Sequence, residues 1–311
     1  MSQHAVRVVR VPAPEPHPNA DKLVVYRVGG LQIVRTPLPA GSLAVLVECD
    51  YIGPKALFFG AGEGLHRVKP AKIRGLYSEG LLLEAPAGAV EGADVMLQLG
   101  IARYAPPVKL TTGETAPGPR YRVPVYDLEP LHKYPDLIHA GTPVVVTEKL
   151  HGCNVRFVFD GETFHLGSRS QWRTAEKGLL SQVVKQNPWV EPWCRAFPDH
   201  VLWGEAYGWV QDLRYGHQPG QVSFRAFDVW HQGRFLGPDE GPRLSNMQSV
   251  PETYRGGFAR GMMPDLADRP SAIDGGLREG VVVRPVTPIL HPELGNVVLK
   301  VVSNKYLERQ G

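Results

Sequence analysis

The sequence predicts an α+β protein in which strands outnumber helices. Three observations carry this. Short β-branched runs recur at close intervals, as in Ala5–Val11, Leu23–Val34, Ser42–Ile52 and Gly80–Ala85; such runs, bounded by turn residues, read as strands. Thirty-four glycines and 29 prolines in 311 residues supply more turn chemistry than a helical bundle uses. A helical pattern stands out in one place, Thr174–Gln186, opened by a threonine able to cap it and an acid in its first turn.

The first hundred residues, with strands this short and evenly spaced, read as a small antiparallel barrel or sandwich. From Tyr104 the text turns to proline, glycine and threonine without periodicity, which reads as a linker over 104–127. A second strand-rich region follows, so the expected organisation is 1–103, a linker at 104–127, and 128–311. With 43% hydrophobic and 21% charged residues the chain can bury a core, which excludes a disordered or fibrous protein. Its longest apolar runs, such as Val144–Val146 and Val281–Val283, are too short to cross a bilayer. The first residues lack the apolar stretch of a secretory signal, so a cytoplasmic protein is expected. Cys49, Cys153 and Cys194 stand apart, which argues against both a disulfide framework and a zinc site built on paired cysteines.

Net charge is +3, which by itself says little about a polyanionic partner. Its distribution says more: residues 1–135 hold 15 basic and 12 acidic side chains, and the remainder hold 19 of each. Arg67, Lys69, Lys72 and Arg74 concentrate four cations in eight residues, either a solvated hairpin or a surface that follows phosphates.

The same region carries His17-Pro18-Asn19-Ala20-Asp21-Lys22-Leu23, then Lys72-Ile73-Arg74-Gly75-Leu76-Tyr77-Ser78-Glu79-Gly80, then Gly92-Ala93-Asp94-Val95. In this order the segments resemble the OB-fold tRNA-binding domains appended to some aminoacyl-tRNA synthetases. The resemblance implies an N-terminal OB-fold β-barrel able to bind nucleic acid.

Downstream, the apolar run Pro143–Thr147 leads into Glu148-Lys149-Leu150-His151-Gly152-Cys153-Asn154. A lysine at a strand end is usually a surface cation. Buried beside other cations, its pKa would fall from about 10.4 and its free amine could act as a nucleophile. Further charged or aromatic residues stand at strand edges in sequence: Gly167-Ser168-Arg169-Ser170, Leu202-Trp203-Gly204-Glu205, Phe224-Arg225-Ala226-Phe227-Asp228, Glu279-Gly280 through Arg284, and Val298-Leu299-Lys300. Taken singly, His151 reads as a turn histidine, Phe227 as a core residue, Glu205 as an ion-pair partner and Arg284 as a surface cation. Cys153 reads as packing.

The ordered set resembles the covalent nucleotidyltransferases, which comprise ATP-dependent DNA and RNA ligases and mRNA capping enzymes. The fuller form Glu148-Lys149-x-His151-Gly152-x-Asn154 looks like the phage nick-sealing double-stranded RNA ligases. An OB domain placed before the transferase domain resembles the Deinococcus–Naegleria type of RNA ligase. Only Val301–Gly311 follows Lys300, whereas typical DNA ligases and capping enzymes carry their OB domain after this motif. The implied fold is a transferase domain of antiparallel sheets with flanking helices.

The resemblance also implies roles. Lys149 would form a lysyl-AMP with ATP, with Lys300 on the α-phosphate. Glu148 would meet the adenine edge and Phe227 would stack on the base. Arg169 and Glu205 would hold the ribose and transferred phosphate, and Arg284 a phosphate. Gly152 would keep the turn tight, and Glu279 would orient Mg2+, or Mn2+ in its place. His151 and Asn154 would serve end joining and the nucleotide–metal region; Trp172 and Arg173, by their place just past Arg169, are further, weaker candidates for RNA contact. The implied partner is a nicked duplex with RNA at the 3′-OH side. Two positions depart from the phage pattern: Val302 stands where a second lysine is usual, with Lys305 beyond it, and Arg284 stands where lysine is common. Two rivals stay open: a DNA-nick ligase, and a non-catalytic RNA- or tRNA-binding protein with a degenerate transferase domain.

Overall fold

The computed structural model describes residues 5–49, 51–104, 115–176, 178–242, 245–292 and 294–309. Paired strands, almost all antiparallel, and a few short helices build the chain, as the α+β expectation required. It divides into two units: Met1–Val108 with Leu307–Gly311, and Lys109–Tyr306. No described helix is long and apolar enough to cross a membrane.

In the first unit, strand Leu43–Glu48 pairs with Arg7–Arg10 on one side and Gly80–Glu84 on the other. Both of its faces are buried: Val45 and Val47 enter one apolar cluster with Val8, Phe58 and Ile101, while Ala44 and Leu46 enter another with Tyr26 and Ile33. That explains its unbroken apolar sequence, since a strand covered on both sides has no polar face to alternate with. The remaining strands form three further short sheets, so the ladders among the described residues are several small ones.

Two of the segments singled out in the sequence meet here. Strands Ala71–Ile73 and Leu76–Ser78 form a hairpin whose two turn residues, Arg74 and Gly75, have φ of 49° and 96°. Left-handed conformation at both positions is the twist-matched two-residue turn. His17 Nδ1 accepts from the Asn19 N–H at 3.0 Å, which leaves Nε2 as the donor toward the Ile73 carbonyl at 3.2 Å. The Asn19 side chain donates to the Arg74 carbonyl at 3.0 Å. The His-Pro-Asn segment therefore clamps the basic hairpin. Lys72 and Arg74 are exposed on it, while Arg67 lies on a different strand with its guanidinium 4.2 Å from the Tyr104 ring centre.

The second unit has two sheets. The five-stranded one runs Glu129–Pro130, Leu299–Val302, Gly280–Pro285, Pro143–Lys149 and Glu252–Gly257; the six-stranded one includes Phe164–Ser168, Cys153–Phe159, Val201–Gly208 and Val222–His231. Side chains alternate between faces along each strand. In the first sheet, Val144, Val146, Val281, Val283 and Leu299 turn toward helix Met263–Ala267 and form one core. In the second, Val155, Phe157, Leu202, Ala206 and Phe224 pack under helices Leu179–Gln186 and Val190–Ala196. The expected helix at Thr174 begins later, at Leu179 behind Gly178, and ends where Asn187 donates to Val183 and accepts from the Phe224 N–H. Helix Val190–Ala196, not expected from the sequence, buries Val190, Trp193 and Cys194 at helical spacing.

The remaining faces of the two sheets are joined by a buried polar contact. Arg284, on strand Gly280–Pro285, meets Asp228, on strand Val222–His231, at 3.0 Å, and both meet the Tyr126 hydroxyl. Two expectations change here. Arg284 is buried and paired inside the unit rather than standing as a surface cation, and it also lines the cavity beside Phe227. Residues 115–127, read as linker, pack on the six-stranded sheet: Tyr126 is buried against Trp203 and Phe227, and Tyr121 stacks on Trp230. The tyrosines supplied apolar area that the surrounding prolines masked; residues 105–114 lie outside the described set.

Removing one partner of a buried ion pair strands the other charge. Asp228→Ala should therefore cost roughly 3–5 kcal/mol of stability, read as the midpoint of chemical denaturation. The double variant Asp228→Met with Arg284→Met should recover much of that loss.

Candidate active site

Strand Pro143–Lys149 places Val145, Thr147 and Lys149 on the face away from its core. Its neighbour brings Gly280 opposite Lys149 and Val282 opposite Thr147, and the next strand brings Lys300 opposite Val282. Residues opposite one another in a ladder share a face, so Lys300 and Lys149 lie on the same side of the sheet. Glu279 immediately precedes Gly280. Lys149 Nζ donates to Glu279 Oε1 at 2.6 Å, with both side chains largely withdrawn from solvent.

The second sheet faces this cluster with Asn154 and Glu205, opposite each other across their ladder. Between the sheets runs the turn Leu150–Gly152. The Gly152 backbone N–H lies near enough to the Glu205 carboxyl group to favour its charged form. A β-carbon at Gly152 would lie 2.0 Å from the Ala206 carbonyl oxygen. Glycine is required there because two backbones touch, a stricter reason than the tight turn expected. His151 is held on several sides. Its N–H donates to the Tyr215 hydroxyl at 2.7 Å; its Nε2 lies 2.5 Å from Asp212, and its Nδ1 lies 3.2 Å from the Tyr306 hydroxyl and 3.5 Å from Glu279 Oε2.

The electrostatics correct one expectation. Burial alone would lower the Lys149 pKa, but Glu279 and Glu205 outweigh it and the net shift is upward. The neighbours that set its charge are carboxylates rather than cations, so the resting amine is protonated. Burial, with Glu279 adding repulsion against the pull of Lys149, lifts Glu205 to about 8. Glu279 is pushed below its ordinary value because Lys149 and His151 outweigh its burial. At neutral pH the centre thus holds one ammonium, one carboxylate and one neutral carboxyl group.

Glu148 does not join this centre. Strand alternation turns it to the opposite face, where it is 1% exposed and accepts from Ser271 Oγ at 2.6 Å and the Ala272 N–H at 2.7 Å, with Arg278 at 3.5 Å. Its side chain therefore anchors the Ser271–Ala272 segment rather than an adenine edge. Arg169 is exposed and paired with Asp127 at 2.6 Å; exposed pairs are weak, so Arg169 is readily released to a ligand. Phe227 lies 4.8 Å from Tyr126, ring centre to ring centre, and lines a cavity of about 140 Å3 with Thr147, Asp228, Met247 and Arg284. A cavity of this size admits a group about as large as benzene rather than a whole nucleotide. It begins beside Thr147, two residues short of Lys149. Trp172 stacks under Arg156 at 4.1 Å, and Arg173 contacts Gln171.

Asp212, Tyr215 and Tyr306 escaped the sequence reading. They converge on His151 from a loop after strand Val201–Gly208 and from the C-terminal helix Asn304–Arg309, and no spacing rule links those places. Two buried oxygens, Glu279 Oε2 and Asn154 Oδ1, have no hydrogen-bond partner among the described residues. Oxygen donors of this kind suit Mg2+ or Mn2+ that keeps most of its waters. Among the described residues no three His, Cys, Asp or Glu side chains form a complete protein cage for a metal.

The model of the family described as RNA ligase matches residues 142–302, the stretch that carries Lys149, His151, Asn154, Glu205, Glu279 and Lys300. No curated relative matches the sequence. Among solved structures, a Naegleria gruberi RNA ligase variant with AMP and manganese superposes with a TM-score of 0.77 at 22% identity, covering 98% of each chain. A second variant, with ATP and manganese, gives 0.77 at 20% identity over 98% of this chain and 99% of that one. The same ligase with pyrophosphate gives 0.77 at 22% over 98% of each. At such identities the likeness establishes the shared fold.

Two outcomes follow from this geometry. Glu205 has a folded-state pKa of about 8 against an ordinary 4.5. Its contribution to stability is therefore complete below about pH 4.5 and is lost as pH rises through about 8. Glu205→Gln should flatten that part of the stability profile between pH 5 and 8, measured by denaturant titration. Gly152→Ala forces two backbones apart and should cost about 2 kcal/mol or more, while the neighbouring Cys153→Ala should cost less in the same assay.

Proposed function

The chain belongs to the RNA ligase family, and we propose that it joins RNA ends using ATP, through AMP carried on Lys149. The observation that supports this most directly is Lys149 held 2.6 Å from Glu279 between two sheet faces, with Glu205 beside them. Lys149 Nζ, once deprotonated, attacks the α-phosphorus of ATP; the N–P bond forms as the bond to the β-phosphate oxygen breaks and pyrophosphate leaves. A 5′-phosphate oxygen of RNA then displaces Nζ and takes the AMP. Finally a 3′-OH attacks that phosphate and AMP departs. Such transfers are governed by positioning and by neutralising charge.

Phe227 and the cavity beside it receive the flat apolar face of adenine, and Arg169 leaves Asp127 for ribose or phosphate. Lys300, on the Lys149 face of the sheet, contributes positive charge at the transferred phosphate. Glu279 and Asn154, whose Oε2 and Oδ1 have no hydrogen-bond partner among the described residues, are the residues that would hold Mg2+ or Mn2+. Bound there, the ion supplies positive charge near the phosphates and favours the neutral amine. His151, fixed by Asp212, Tyr215 and Tyr306, serves the end-joining steps.

The substrate we favour is a nicked duplex with RNA at the 3′-OH side, where the 2′-OH distinguishes RNA from DNA. The N-terminal unit, with Lys72 and Arg74 on its clamped hairpin and Arg67 and Lys69 nearby in sequence, grips the phosphate backbone in the manner of an OB domain.

With α-labelled ATP and a divalent metal, wild-type protein should retain label through denaturing electrophoresis, and Lys149→Ala should retain none. His151→Ala should depress sealing of a nicked RNA substrate more than it depresses labelling. Absence of label in folded wild-type protein would favour a binding protein without turnover. Equal sealing of nicks ending in RNA and in DNA would remove the strand preference.

A further inference from the structure

The loop that follows strand Val201–Gly208 is fastened to the turn that carries the nucleophile. Tyr215 accepts the His151 N–H at 2.7 Å, Asp212 lies 2.5 Å from the His151 ring, and Gln211 Nε2 reaches the Gly152 carbonyl at 3.5 Å. Leu213 and Tyr215 are buried, and Tyr215 is held at φ 52°, a conformation that a bulky residue adopts only when its surroundings impose it. Trp209 begins this loop, with its N–H bonded to the Gln221 carbonyl at 2.8 Å. The segment is thus a fixed shelf beside the reacting lysine.

Trp209 is nevertheless 43% exposed. Of the large apolar side chains of the second unit counted as exposed among the described residues, it is the one aromatic. The Arg214 guanidinium lies 4.0 Å from its ring centre. A planar cation held against an indole places positive charge beside the exposed part of the ring, and charge of that sign suits a polyanion. Tryptophan is highly buried on average, and this one keeps 43% of its surface in solvent. A nucleobase fits the arrangement chemically: flat, stackable whatever its identity, and attached to a phosphate backbone.

We propose that Trp209, backed by Arg214, is a stacking platform for a nucleobase of the RNA end presented to Lys149, so that the loop orients the terminal nucleotide for adenylyl transfer and joining. This rests on the ligase reading, from which it takes its substrate. Trp209 acts by positioning, since it touches neither the α-phosphate nor the nucleophile. Asp212 and Tyr215 transmit that position, because the same loop fixes His151.

The test uses the full chain and RNA oligonucleotides carrying 2-aminopurine at the nucleotide bearing the 5′-phosphate in one arm, and at the nucleotide bearing the 3′-OH in the other. Stacking on an indole quenches this fluorophore. Wild-type protein should quench one of the two probes. Trp209→Ala should lose the quench and weaken RNA binding roughly tenfold or more; Trp209→Phe, which keeps a flat face, should restore binding to within about threefold. In single-turnover sealing with pre-adenylylated protein, the Ala variant should show a raised half-saturating RNA concentration, partly rescued by Phe. Quenching that persists in Trp209→Ala, or wild-type protein that binds RNA and quenches neither probe, would overturn the proposal. Because binding and quenching are read without ATP, they judge the platform even if Lys149 takes up no AMP. Failure to take up AMP counts against the ligase reading alone.

Discussion

The contact between Lys149 and Glu279 holds an ammonium and a carboxylate 2.6 Å apart in a place largely closed to water. Withdrawn from solvent, each charge is tolerable mainly because of the other. Around this pair the rest of the centre adjusts. Glu205, a second carboxyl group in the same pocket, can stay only by keeping its proton to a pH near 8. The turn that follows Lys149 can reach Glu205 only by pressing its backbone against Ala206. The same pair sets the chemical problem: a protonated amine is no nucleophile, so adenylylation requires something that competes with the ammonium for Glu279. Glu279 Oε2, 3.5 Å from His151 Nδ1 and without a hydrogen bond among the described residues, marks where such competition can enter.

Two further buried ion pairs explain why the sheets hold their spacing. Glu148 and Arg278 lie on the core side of the five-stranded sheet, while Asp228 and Arg284 link its other face to the six-stranded sheet. Buried pairs of this kind add little net stability, but each strongly penalises arrangements that separate its members. Their effect is to make one register of strand Gly280–Pro285 strongly preferred over its neighbours. That register carries Glu279 to Lys149 at one end and sets the wall of the Phe227 cavity at the other.

Much of this could be read from the residues. Short β-branched runs announced the strands, and the ordered motifs picked out Lys149, His151, Gly152, Asn154, Glu205 and Glu279, which the fold brings together. The errors have physical causes. Glu148 adjoins the nucleophile in sequence, yet a period of two sends it through the sheet to Ser271. Arg284 reads as an available cation because its partner, Asp228, lies 56 positions away. Tyr126 was hidden in a proline-rich stretch whose composition says linker, although two tyrosines there bury substantial area. Asp212, Tyr215 and Tyr306 meet only after folding, and a left-handed tyrosine leaves no trace in a pattern of polarity.

The contact at Gly152 has a consequence for motion. With its α-carbon pressed against the Ala206 carbonyl, the turn bearing the nucleophile has little room to move toward strand Val201–Gly208. The Tyr215 and Asp212 contacts attach the following loop to the same body. Whatever rearrangement admits a nucleotide and later an RNA end, Lys149, His151, Glu205 and the Trp209 shelf travel together as a single anvil. Opening and closing must then come from the parts that strike it.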